Sequence, residues 1–249
     1  MHIVRIAGLM RSGSNLLTWM LRNNFDSVGT ATMLMGWKHG PLFRGRPALS
    51  LEDFVDPRYR ENISAFVRDH PDHWERMTES EFYQAAIRQQ ADDSFAVALA
   101  VRDPAVWYAS CLRVSRERPE FLNHGVAPEE AARVWNQSHR HWLDNLGERG
   151  TVVDTEKLRS DPEPILERIA ADLGLHRHAE LKVPDGYIRP RSQEELYELL
   201  GMPAKSHYSA RKFTEAREED SQSQAEFVGL LDEDVLGRLG LNVCCTSAR

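Results

Sequence analysis

The chain has 249 residues, room for one large α/β domain or two small ones, and 41% of them are hydrophobic, which excludes wholesale disorder as the default. Its formal net charge of -7 speaks against a nucleic-acid binder held by bulk electrostatics, although arginines can still converge locally. The three cysteines, Cys111 and the neighbours Cys244 and Cys245, make no disulfide framework.

The opening MHIVRIAGLM lacks the basic lead and cleavage site of a secretion signal, and no apolar run approaches the roughly 20 residues needed to cross a bilayer. The expectation is a cytoplasmic protein with no membrane span. Residues 2 to 8, HIVRIAG, predict a short β-branched strand ending at a glycine turn. From Ser14 to about Asn24, Leu16, Leu17, Met20 and Leu21 recur at helical spacing. A second strand is expected near Gly29 to Leu34, followed by the loop GWKHGP. Residues 50 to 92 are polar and helix-prone, an insertion over the sheet.

FAVALAV, residues 95 to 101, is the continuous apolar run of a strand buried on both faces. Asp103 and Pro104 then open a helix to about Val114. A further helix is expected from Pro128 to Leu146 and a short strand at TVVD, residues 151 to 154. Asp161 and Pro162 open one more helix, with Ile165, Ile169 and Leu173 on one stripe and Gly174 as terminator. The alternation predicts a three-layer α/β fold, a parallel sheet flanked by helices. The whole chain, 1–249, reads as a single domain; 184–225 is charged and weakly periodic, a segment suited to a lid or an arm.

Two stretches carry chemistry. GLMRSGSNLL, residues 8 to 17, sets Gly8 and Gly13 at the spacing of a phosphate loop between a strand and a helix N-terminus, which favours an anion by geometry and by the helix dipole. The lysine of nucleotide-triphosphate enzymes is missing: Ser14 stands in its place, Asn15 follows, and Arg11 lies inside the loop. A guanidinium can clamp sulfate or phosphate without a metal. In VRDPAVWYASCLR, residues 101 to 113, Arg102 falls at the end of a buried strand, where open α/β sheets bind ligands, and Ser110 follows on the helix. The ordinary alternative is that Asp103 caps the helix and Arg102 pairs with a carboxylate.

Together these stretches resemble the PAPS-dependent sulfotransferases. Arg11-Ser12-Gly13-Ser14 is similar to their 5′-phosphosulfate loop, Arg102 with Ser110 to their 3′-phosphate pair, and TVVDTEKLRSDPEPILERIAADLGL, residues 151 to 175, to their strand, DP turn and helix. The resemblance implies a P-loop kinase-like fold and metal-independent sulfuryl transfer from PAPS, with PAP as product. It implies that Arg11, Ser12, Gly13, Ser14 and Asn15 hold the phosphosulfate and that Arg102 and Ser110 recognise the 3′-phosphate. The family's adenine-stacking Trp is replaced by Leu16, with Trp19 a turn away, and its Arg-Lys-Gly segment has only Arg211 and Lys212 as a weak counterpart.

For the acceptor side, MGWKHGP, residues 35 to 41, offers His39 as base, an imidazole of ordinary pKa near 6.5, and Lys38 for the leaving phosphate. Glu52 or Asp53 is the alternative base, and a surface-loop histidine the ordinary reading of His39. His139 and His141 face different ways, and neither HRH tract completes a metal site. Trp37, Phe43, Trp107 and Tyr108 are candidates to line an acceptor pocket or to fill the core. The acceptor is expected to be a small molecule, lipid or carbohydrate, with no nucleic acid; a homodimer is left open. The competing readings are a divergent small-molecule or nucleotide kinase using Mg²⁺ and ATP, and a non-catalytic nucleotide-binding domain.

Overall fold

The computed structural model describes residues 1–31, 39–42, 44, 72, 75, 78–117, 122, 124–184 and 218–241. Its centre is a parallel sheet of order β2-β1-β3-β4, formed by His2–Ala7 (β1), Val28–Ala31 (β2), Ala96–Val101 (β3) and Gly150–Asp154 (β4). Every residue of β3 is buried, as its unbroken apolar run requires in a sheet covered on both sides.

Alternation along the strands divides the core. Val4, Ile6, Ala96, Ala98, Ala100 and Val153 face a layer made by Ser14–Asn24 (α1), Thr155–Ser160 (α5) and Pro162–Leu173 (α6). Ile3, Ala7, Val97, Leu99 and Val101 face Glu81–Ala91 (α2), Pro104–Glu117 (α3), Pro128–Asp144 (α4), Glu218–Gly229 (α7) and Glu233–Arg238 (α8). The expected α/β class, three layers with a parallel sheet flanked by helices, is therefore observed.

Local chemistry sets the helix ends. Asp103 Oδ1 accepts from the amide of Val106 at 3.0 Å and opens α3, which runs to Glu117, one turn past the expected end. Gly174 ends α6 in the left-handed region (φ 64), where the missing Cβ removes the steric cost. The strand expected at 29 to 34 is observed as Val28–Ala31; the residues from 32 to 38 lie outside those described.

The sequence reading does not find α5, α7 or α8. Helix α7 packs on α3 and α4: Phe227 is fully buried and stacks on Tyr108 with ring centroids 4.5 Å apart, and Asp220 pairs with Arg116 at 2.5 Å. From Glu218 the 184–225 segment is thus part of the body, and residues 185–217 lie outside those described. No helix among the described residues is long and apolar enough to cross a membrane.

Candidate anion site at the C-terminal edge of the sheet

Each strand delivers chemistry where it ends. Beyond β1 lies the glycine loop, beyond β3 Arg102, beyond β4 the turn into α5, and beyond β2 the chain returns at His39. This C-terminal edge is where open parallel sheets bind ligands.

The loop is held by its carbonyls. Trp107 Nε1 donates to Met10 O at 2.7 Å, Thr155 Oγ1 to Ser12 O at 2.7 Å, and the Ser12 amide to Leu9 O at 3.1 Å. His39 Nδ1 lies 2.5 Å from Gly8 O, a contact in which the ring nitrogen carries the proton and the carbonyl accepts it. Arg11 is held in the left-handed region (φ 73), a conformation that costs a non-glycine residue about 1 kcal/mol or more.

Helix α1 begins at Gly13, which has no side chain to cap it, and no acidic residue sits in its first turn. The contrast is with α2, α5 and α8, whose first amides are taken by Ser80, Asp154 and Asp232. Ser12 is 2% exposed, and its hydroxyl is buried with no hydrogen-bond partner among the described residues. An orphaned buried hydroxyl beside an uncapped helix start suits a bound anion. The residues present therefore fit the phosphosulfate end of the expected donor.

Arg11 Nε donates to Ser110 Oγ at 3.0 Å, which closes the loop against α3. Arg102, 8% exposed, gives its Nε to Glu156 Oε1 at 3.3 Å. Burial lowers the Arg102 pKa from its ordinary value; Glu156 works against this, and the charges of Arg159 and Arg11 lower it further. Two further arginines thus act on Arg102 against the carboxylate of Glu156. Cys111, beneath Ser110, stays a thiol: burial pushes it up to about 12 although Arg11 and Arg102 pull the other way.

The segment that carries His39 is anchored below. Arg5, buried in β1, donates through Nη2 to Pro41 O at 3.1 Å; Trp142 Nε1 donates to Gly40 O at 2.9 Å; the Leu42 amide donates to His141 Nε2 at 3.1 Å. Burial pushes the Arg5 pKa down to about 10.

The structure brings Arg11, Ser12, Gly13, Ser14, Asn15, Arg102, Ser110 and His39 to this edge. Lys38, Arg211, Lys212, Glu52, Asp53, Trp37 and Phe43 lie outside the described residues. The ordinary duties weighed for residues 102 and 103 are also real, since Asp103 caps α3 and Arg102 pairs with Glu156. Of the two readings weighed for Trp107 and Tyr108, the core one is observed: both are buried and pack on Phe227. His139 is likewise a core residue, and His141 an anchor for Leu42. The sequence reading misses Thr155, Glu156 and Arg159; the TEKLR run that contains them enters it only as part of a longer pattern. Among the described residues no group of His, Cys, Asp and Glu could hold a metal ion.

No protein-family model and no curated protein matches the chain. Among solved structures it is similar to the sulfotransferase domain of the Synechococcus PCC 7002 olefin synthase, at 17% identity over 91% of this chain and 94% of that one, with a TM-score of 0.38. It is also similar to retinol dehydratase in complex with androsterone and the inactive cofactor PAP, at 15% identity over 97% of this chain and 82% of that one, with a TM-score of 0.39.

Proposed function

We propose that the chain is a sulfotransferase that moves a sulfuryl group from PAPS to a hydroxyl or amine, in line and without a metal. The Arg11–Ser110 hydrogen bond carries the reading, because it makes one cationic pocket from two stretches 99 residues apart. PAPS supplies an activated sulfuryl group at its 5′ end and a 3′-phosphate that ATP lacks.

In this reading Ser12, Ser14, Asn15 and the first amides of α1 hold the sulfonated tail, and Arg11 offsets the charge that develops there. Arg102 and Ser110 take the 3′-phosphate. His39, its Nδ1–H engaged by Gly8 O, accepts the acceptor's proton at Nε2. Lys38 on the leaving bridge, and Arg211 with Lys212 on the donor, are expectations from the sequence. The acceptor is a small molecule, lipid or carbohydrate bearing the hydroxyl or amine.

The kinase alternative has less in its favour. Ser14 stands where its lysine would, and Asp103 spends its carboxylate on the cap of α3. Thermal melts in EDTA separate the readings: PAP raises Tm and ATP does not. A shift that requires Mg²⁺ and ATP supports the kinase, and PAP binding without transfer of label from PAPS to any acceptor supports the non-catalytic domain. Arg102→Ala weakens PAP by about tenfold to a hundredfold, the scale of one lost charge-assisted contact, and leaves adenosine 5′-monophosphate nearly unaffected. Equal loss of both ligands removes the 3′-phosphate role.

A further inference from the structure

Glu156 and Arg159 stand three residues apart on α5 and so share one face of that helix. Glu156 reaches Arg102 from there, while Arg159 is exposed and makes no ion pair among the described residues. The Arg159 charge is also among the causes that lower the Arg102 pKa.

Among the described residues, the charges that act on Arg102 include the carboxylate of Glu156 and the two further cations Arg11 and Arg159. The Glu156 side chain is 37% exposed and that of Arg102 8%, so the pair is open to solvent on its carboxylate side, where an incoming anion can reach it. A phosphate dianion brings more charge and more acceptor oxygens than a carboxylate, and it suits two planar guanidinium groups converging from different elements.

We propose that Arg159 is a second arginine of the 3′-phosphate pocket and that Glu156 is the carboxylate the phosphate replaces at Arg102, an inference that rests on the sulfotransferase reading. Arg102 then approaches from the end of β3 and Arg159 from α5, with Ser110 on α3 closing the third side. Both α5 residues are surface-accessible, so changing them leaves the core intact.

The test is isothermal titration of the full chain with PAP and with adenosine 5′-monophosphate, in EDTA. Arg159→Ala is expected to weaken PAP about tenfold, one charge-assisted contact, and to change adenosine 5′-monophosphate by less than about twofold. Glu156→Gln is expected to bind PAP several-fold more tightly. Wild-type PAP affinity in Arg159→Ala, or equal loss of both nucleotides, overturns the assignment of Arg159. Unchanged or weakened PAP binding in Glu156→Gln overturns its role as the displaced carboxylate. If Arg102→Ala loses PAP while Arg159→Ala keeps it, the sulfotransferase reading stands and this inference alone falls. If the wild type binds no PAP, both fall.

Discussion

Thr155 Oγ1 donates to Ser12 O at 2.7 Å across 143 residues of sequence, tying the glycine loop to the start of α5, and lies 3.1 Å from Val101 O as well. Gly13 completes the fit: a Cβ there would come within 2.6 Å of that same oxygen, on a backbone already at φ 85.

Thr155→Val keeps the shape and removes the hydroxyl. It leaves a buried carbonyl underpaired, at a cost of about 1–3 kcal/mol. Gly13→Ala adds left-handed strain of about 1–2 kcal/mol to a contact that must push Thr155 aside. Both variants should melt earlier than wild type, with Gly13→Ala also losing PAP affinity. Wild-type melting in Thr155→Val would show that the clamp contributes nothing.

His39→Ala should lower kcat by about a hundredfold or more, the usual contribution of a positioned base, with PAP affinity nearly intact. The Gly8 O contact sits behind the ring, so removing the imidazole takes away one support of the loop without removing a donor to the ligand. Unchanged turnover moves the base elsewhere, and Glu52 and Asp53 are the next residues to substitute.

His139 should make stability depend on pH. It lies in the core between Trp135 and Trp142, with Nδ1 2.8 Å from Trp135 O, and burial pushes its pKa down to about 4. The unfolded chain titrates near 6.5, so between those values the unfolded state binds a proton that the folded state refuses. The contribution of neutral His139 is complete above pH 6.5, shrinks as pH falls, and is gone by about 4, a loss of about 3 kcal/mol. Denaturant melts from pH 7 to 4 should therefore fall more steeply for wild type than for His139→Gln. Parallel slopes would mean that the imidazole charges inside the fold.

What the sequence disclosed depended on how far apart the interacting residues lie. The run 95 to 101, the Asp103 cap, the α6 stripe and the Gly174 stop are local signals, and the structure bears them out. Helix α7 stayed hidden because Phe227 is its only fully buried apolar anchor in an otherwise charged stretch. Within the site, Gly8, Gly13, Arg11 and Arg102 announced themselves by type and spacing. Thr155 and Glu156 did not, because a threonine or glutamate in a helical run has no mark until folding brings it to Ser12 or Arg102. Trp107 and Tyr108 fit a pocket lining or the core by residue type alone, and helical periodicity turns both toward the core.

The anchoring of residues 40 to 42 by Arg5, Trp142 and His141 separates two tasks within one cleft. On the proposed reading, donor recognition falls to the loop, α3 and α5, whereas the segment that follows the proposed base hangs from β1 and α4. The contact of His39 with Gly8 O is then the joint between the two, so a substitution beneath residues 40 to 42 reaches the loop only by way of that ring.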